Sequence, residues 1–134
     1  MKRFLSRLLS LALSLVIAVG LMGCSTAPTG LSGDYRQDTL TLVNSLRTAL
    51  TLPEGSPDKA AAQAEARQLI NNFASRYRRD PSLTKLSSFT TMRTALNSLA
   101  GHYSSYPNRP VPQKLKQRLE QEFSQVEAAL NRGA

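Results

Sequence analysis

The chain has 134 residues, 41% of them hydrophobic, with 17 Lys and Arg against 9 Asp and Glu, one Cys, one His and no Trp. That length suits one domain behind a leader and is too short for two, and a lone cysteine excludes a disulfide framework within the chain. One histidine and one thiol also leave too few soft ligands for a zinc cluster.

Lys2, Arg3 and Arg7 form a positive start, Leu8 to Met22 is an apolar stretch, and Leu21-Met22-Gly23-Cys24 follows. This pattern is that of a signal peptide over residues 1–23. The stretch is interrupted by Ser10, Ser14 and Gly20 and is shorter than the roughly 20 residues of a spanning helix, so a permanent transmembrane anchor fits less well. The last four residues resemble a bacterial lipobox, with Met22 an unusual occupant of its position. The resemblance implies that the Cys24 thiol is diacylated and becomes the new N-terminus. Each buried methylene of an acyl chain contributes about 0.8 kcal/mol, so several chains hold where one holds only marginally. Without the leader, 14 basic residues face 9 acidic ones. Such an excess favours acidic protein surfaces, anionic headgroups or nucleic acid, and export makes nucleic acid the least fitting.

Ser25 to Gly33 contains Pro28, Gly30 and Gly33 without a periodic pattern, which predicts a flexible, lipid-anchored tether over residues 24–33. From Asp34 to Thr51, Leu42, Val43, Leu46 and Leu50 recur at helical spacing. Ser56-Pro57 then supplies a capping hydroxyl and a first-turn proline. The second helix runs to about Arg79 and buries Ala62, Ala66, Leu69, Ile70, Phe73 and Tyr77. Asp80-Pro81 breaks it. A third helix starts at Ser82 or Leu86 and ends at Ser105, with Phe89, Met92, Leu96, Leu99, Ala100 and Tyr103 inward. Three prolines, Pro107, Pro110 and Pro112, stiffen the connector to a fourth helix. Leu115, Leu119, Phe123, Val126 and Leu130 form its stripe, which ends near Arg132. No segment alternates as a strand would. The reading is an all-α, antiparallel up-down-up-down four-helix bundle over residues 34–132, a monomer.

Catalytic chemistry has little to work with. His102 near a helix end reads as a cap before a catalyst. Asp34 and Asp38, four apart, read as first-turn acids complementing the helix dipole and fall short of a calcium or manganese shell. No cofactor and no metal site is expected. Basic residues are more informative. Arg76, Arg78 and Arg79 with Lys85 should gather at the tether end of the bundle, and Arg109, Lys114 and Lys116 at the far end. Lys114 and Lys116 stand where the helix dipole disfavours them; four-apart pairs of Lys116 with Glu120 and Arg118 with Glu122 are the ordinary explanation.

The ordered set Gly33-Asp34-Tyr35, Asp38-Thr39-Leu40, Ser75-Arg76-Tyr77-Arg78-Arg79, Phe89 to Gly101, and Arg109-Pro110-Val111-Pro112 with Leu115 and Arg118-Leu119 closely resembles the Psb twenty-seven family of photosystem II assembly lipoproteins, in its cyanobacterial form. The resemblance covers nearly all of the chain after the leader, and the lipobox. It implies a four-helix bundle anchored on the luminal side of the thylakoid membrane. It also implies transient binding to incomplete photosystem II, at a luminal loop of the smaller chlorophyll-binding inner antenna protein, and help in biogenesis, repair and manganese-calcium cluster assembly without catalysis. Exposure and charge, not the family, select Tyr77, Arg78, Arg79, Arg93 and Arg109 as the expected partner face. The alternative is a peripheral domain that lays its basic patches on anionic lipid, and a metal carrier stands third. The lipid anchor makes one direct prediction: Cys24→Ser moves the protein from the membrane pellet to the soluble fraction, and a variant that still sediments contradicts it.

Overall fold

The computed structural model describes residues 30–107 and 109–134; the leader, Cys24 and the first part of the tether lie outside them. The described residues form helices α1 (Tyr35–Thr51), α2 (Pro57–Tyr77), α3 (Ser87–Ser105) and α4 (Gln113–Asn131), and no strand. None of these helices is long and apolar enough to cross a membrane.

Local chemistry sets the helix starts. Asp34 caps α1 by accepting from the Gln37 amide at 2.7 Å. Ser56 caps α2 through the Lys59 amide at 3.1 Å, with Pro57 as the first helical residue. Such caps satisfy donors that helical geometry leaves over, each contributing about 1 kcal/mol. The third helix begins later than Ser82. Asp80 Oδ1 accepts from the amide and hydroxyl of Ser82 at 3.0 and 2.6 Å, and residues 81–85 form turns, with Leu83 tucked into the core.

Contacts at the helix ends give the topology. The Tyr35 ring, at the start of α1, lies 6.4 Å from Phe73 and 5.5 Å from Tyr77 at the end of α2, and 6.4 Å from Phe89 at the start of α3. Arg36 donates to the Leu130 carbonyl at 2.9 Å and to Asn131 at 3.0 Å, at the end of α4. The helices therefore run up, down, up, down. Helix α1 packs against both α2 and α4, and α3 packs against α4. Arg47 ties the α1–α4 face from outside, bonding Glu120 at 2.7 Å and pairing with Glu127.

The predicted stripes fill the interior: Leu42, Leu46, Met92, Leu99, Leu119 and Phe123 are almost inaccessible. Truncating one such residue to Ala costs about 2–5 kcal/mol. Ala100 departs from expectation and is exposed. The α3 stripe runs through Met92, Ala95, Leu96, Leu99 and Tyr103, and Ala100 lies beside it on the side turned to α2. Ala62 and Leu115 are half-buried. Lys59 is buried although charged, paired with Glu54 at 2.8 Å and bonded to the Leu52 carbonyl at 3.0 Å.

Two expectations need correction, and one residue explains both. The predicted tether includes Leu31 to Gly33, yet Leu31 is buried and the next two residues are bonded to the bundle. Tyr77 was expected on the partner face for its exposure and is buried. Asp38 joins them. Its carboxylate, 1% exposed, accepts from the Ser32 amide at 2.6 Å, the Ser32 hydroxyl at 2.7 Å, the Gly33 amide at 3.1 Å and the Tyr77 hydroxyl. Gly33 adopts φ +94°, a backbone angle that favours glycine, whereas a Cβ there would displace only the end of the flexible Arg76 side chain.

Burial by itself would raise the Asp38 pKa, but the hydrogen bonds from Tyr77, Ser32 and Gly33 outweigh it and hold the carboxyl below its ordinary range. Burial and the neighbouring carboxylate push the Tyr77 phenol well above its usual range. Because the folded pKa of Asp38 is lowered, its stabilisation is present above the unfolded carboxylate value of about 3.9 and is lost as pH falls through the folded value. Asp38→Ala, which leaves buried donors unpaired, is expected to cost about 2–4 kcal/mol at pH 7. Asp38→Asn should lose less of its remaining stability than the natural protein between pH 5 and pH 2 in denaturant titrations, and parallel losses would contradict the assignment.

Candidate partner-binding surface

Helices α2 and α3 are not a closely packed pair. Their seam opens into a groove of about 600 Å³. Helical periodicity lays it out. On α2, Arg67, Ile70, Ala74 and Arg78 follow one another at three- and four-residue steps; on α3, Phe89, Arg93, Leu96 or Asn97, and Ala100 do the same. The largely buried Ile70, Phe73, Phe89 and Leu96 form the floor, and the small Ala74 and Ala100 keep the rims low. The aromatic cluster around Tyr35 closes the seam at the tether end, where the Tyr35 hydroxyl also bonds Ser88 at 2.9 Å.

The rims are basic. Arg78 and Arg93 line the main groove, Arg78 and Arg79 an adjoining depression, and Arg67 the extension toward the other end. No carboxylate lines any of the three. Arg78, Arg79 and Arg93 are exposed and form no ion pair among the described residues. Arg67 lies 4.8 Å over the Tyr103 ring. The Tyr103 side chain lines that end, and its hydroxyl is buried with no hydrogen-bond partner among the described residues. Burial raises its pKa, against the opposing charge of Arg67.

Of the five residues expected on the partner face, the structure thus brings Arg78, Arg79 and Arg93 to one seam. Tyr77 sits beneath it in the core. Arg109 is elsewhere, at the opposite end of the bundle, with its guanidinium 5.4 Å over the ring of Tyr106, which is 49% exposed. Arg67 and the Tyr103 hydroxyl were missed. The spacing carried a signal for Arg67, since eleven residues make three turns and put it on the same face as Arg78.

The other expected groups have ordinary partners. Arg118 bonds Glu122 at 3.1 Å, whereas Glu120 turns to Arg47 instead of Lys116. His102 sits in the last turn of α3, its Nε2 3.3 Å from the Arg109 carbonyl oxygen. Asp34 and Asp38 are committed to the α1 cap and to the buried carboxylate cluster, and no group of three or more His, Cys, Asp or Glu is placed to hold a metal among the described residues.

Residues 6–130 match the family described as Photosystem II Pbs27. The chain is 62% identical over 134 residues to the "Photosystem II assembly factor lipoprotein Psb27" of Thermosynechococcus vestitus, covering 100% of this chain and 98% of that one. It is 34% identical over 125 residues to the "Photosystem II repair protein PSB27-H1, chloroplastic" of Arabidopsis thaliana, covering 91% of this chain and 72% of the relative. Its structure is similar to the solution structure of Psb27 from cyanobacterial photosystem II, with a TM-score of 0.75 and 52% identity over 83% of this chain and 96% of that one.

Proposed function

The chain belongs to the Photosystem II Pbs27 family, and from that premise we propose that it is a photosystem II assembly and repair factor that binds incomplete complexes transiently and catalyses nothing itself. The observation that carries this is 62% identity over 134 residues to a protein named as a photosystem II assembly factor. The finer reading has it moored by acylated Cys24 on the luminal side of the thylakoid membrane. There it would engage a luminal loop of the smaller chlorophyll-binding inner antenna protein, assist manganese-calcium cluster assembly and leave before the complex matures.

Three features support that reading. The leader and lipobox over residues 1–24 suit export and anchoring. The chain enters the bundle at Leu31, bound at the end where Arg78, Arg79 and Lys85 are exposed. Exposed, unpaired arginines speed encounter with an acidic partner and contribute less to holding it, which suits a factor that must leave.

The same end could instead rest on anionic headgroups. Flotation of the non-acylated domain with anionic liposomes separates the two readings: strong binding abolished by salt favours lipid. Affinity purification through the mature domain is expected to recover antenna and reaction-centre subunits that lack a functional oxygen-evolving cluster. Recovery of lipid alone, or only of mature complexes, would contradict the assembly role.

A further inference from the structure

We propose that the α2/α3 groove is the docking slot for an acidic, amphipathic helical segment of the partner protein. The proposal rests on the assembly-factor reading and adds to it the site and the chemistry of what enters it. The segment presents apolar side chains at i, i+3 or i+4, and i+7 to the floor. It carries carboxylates at both ends, about three helical turns apart.

The geometry supplies each part of that description. Arg67 and Arg78 bracket the slot from α2, and eleven residues of helix separate them by roughly 16 Å. Arg93 stands across from Arg78 on the second wall. Between Arg67 and Arg78 lie Ile70, Phe73 and Leu96, with Phe89 closing the Arg78 end, an apolar floor that an amphipathic helix can cover. Ala74 and Ala100 let a backbone approach closely, and Asn71 and Asn97 offer amides along the rims.

Charge complementarity decides the occupant. A guanidinium without an ion pair is a planar, two-pronged donor suited to a carboxylate, and here such donors stand at both ends of an apolar stretch. A lipid carries its charge at one end and would leave Arg67, or Arg78 with Arg93, without an anion. A peptide can place acids at both. The Tyr103 ring, 4.8 Å under the Arg67 guanidinium, holds that charge at its end of the slot.

The test uses the full-length chain in thylakoid membranes from cells lacking the natural protein. Asn97→p-benzoylphenylalanine puts a photo-cross-linker in the slot, and Lys116→p-benzoylphenylalanine puts one outside it. The slot position is expected to capture a photosystem II subunit peptide with apolar residues flanked by at least two carboxylates. Arg78→Glu with Arg93→Glu should lower affinity for isolated core complexes at least tenfold. Lys114→Glu with Lys116→Glu, an equal change in net charge, should change it less than threefold. Thermal melts of all variants establish that they fold, and Arg78→Gln with Arg93→Gln, expected to weaken binding in the same direction, replaces any reversal that does not. Capture only from position 116, a neutral or basic captured peptide, a lipid adduct at position 97, or equal effects of the two charge reversals would overturn the slot. If core complexes are recovered but the slot is silent, the assembly role stands and this inference fails; if no photosystem II subunit is recovered, both fail.

Discussion

A carboxylate with almost no exposed surface keeps its charge only when donors surround it, and at Asp38 they come from the entering chain at Ser32 and Gly33 and from Tyr77 on α2. Removing any one donor leaves a buried charge less well satisfied, a larger loss than that of an ordinary surface hydrogen bond. The entering chain, α1 and the end of α2 are thereby fixed to one another through one carboxylate. These bonds determine where the chain enters the bundle at residues 31–33. It also seats Tyr77 under Tyr35 and beside Phe73, which builds the aromatic wall at the tether end of the seam.

From that fixed corner the remaining packing follows. Helix α1 is shared by α2 and α4, and α4 by α3, so the closed faces are settled by Leu42, Leu46, Leu119 and Phe123 in the middle of the bundle. The α2/α3 seam is the one left wide. Its floor is covered enough to be stable and open enough to receive something else. Its arginines hold no fold together, because they have no carboxylate neighbours to bind. Arg47 shows the contrast: equally basic, it faces α4 and spends its donors on Glu120 and Glu127. The proposed recognition surface therefore uses residues other than those that hold the bundle together, on a different face.

Much of this was legible in the sequence. The apolar periodicity, the prolines and the capping serine located every helix of the described residues, and the ordered motifs pointed to the family. What periodicity could not show was a contact made across the chain. Asp38 looked like an acid complementing the helix dipole, and nothing adjacent marked it as the acceptor for Tyr77, thirty-nine residues away. Tyr77 looked both inward by spacing and outward by its arginine neighbours; the hydroxyl acceptor in the core decided it. Leu31 belonged to a stretch of Pro, Gly and Ser that reads as linker until its burial is seen. Ala100 failed for a geometric reason, since a helix facing a wide seam has a narrower buried stripe than one enclosed on both sides.

The claim that recognition lies on the α2/α3 seam is open to direct measurement with an arginine-specific reagent such as phenylglyoxal, applied to the protein free and bound to photosystem II complexes lacking a functional oxygen-evolving cluster. Docking in the seam predicts that Arg78, Arg79 and Arg93 become protected while Arg109 and Arg132 stay reactive. Protection of Arg109 and Arg132 with the three seam arginines still modified would contradict it.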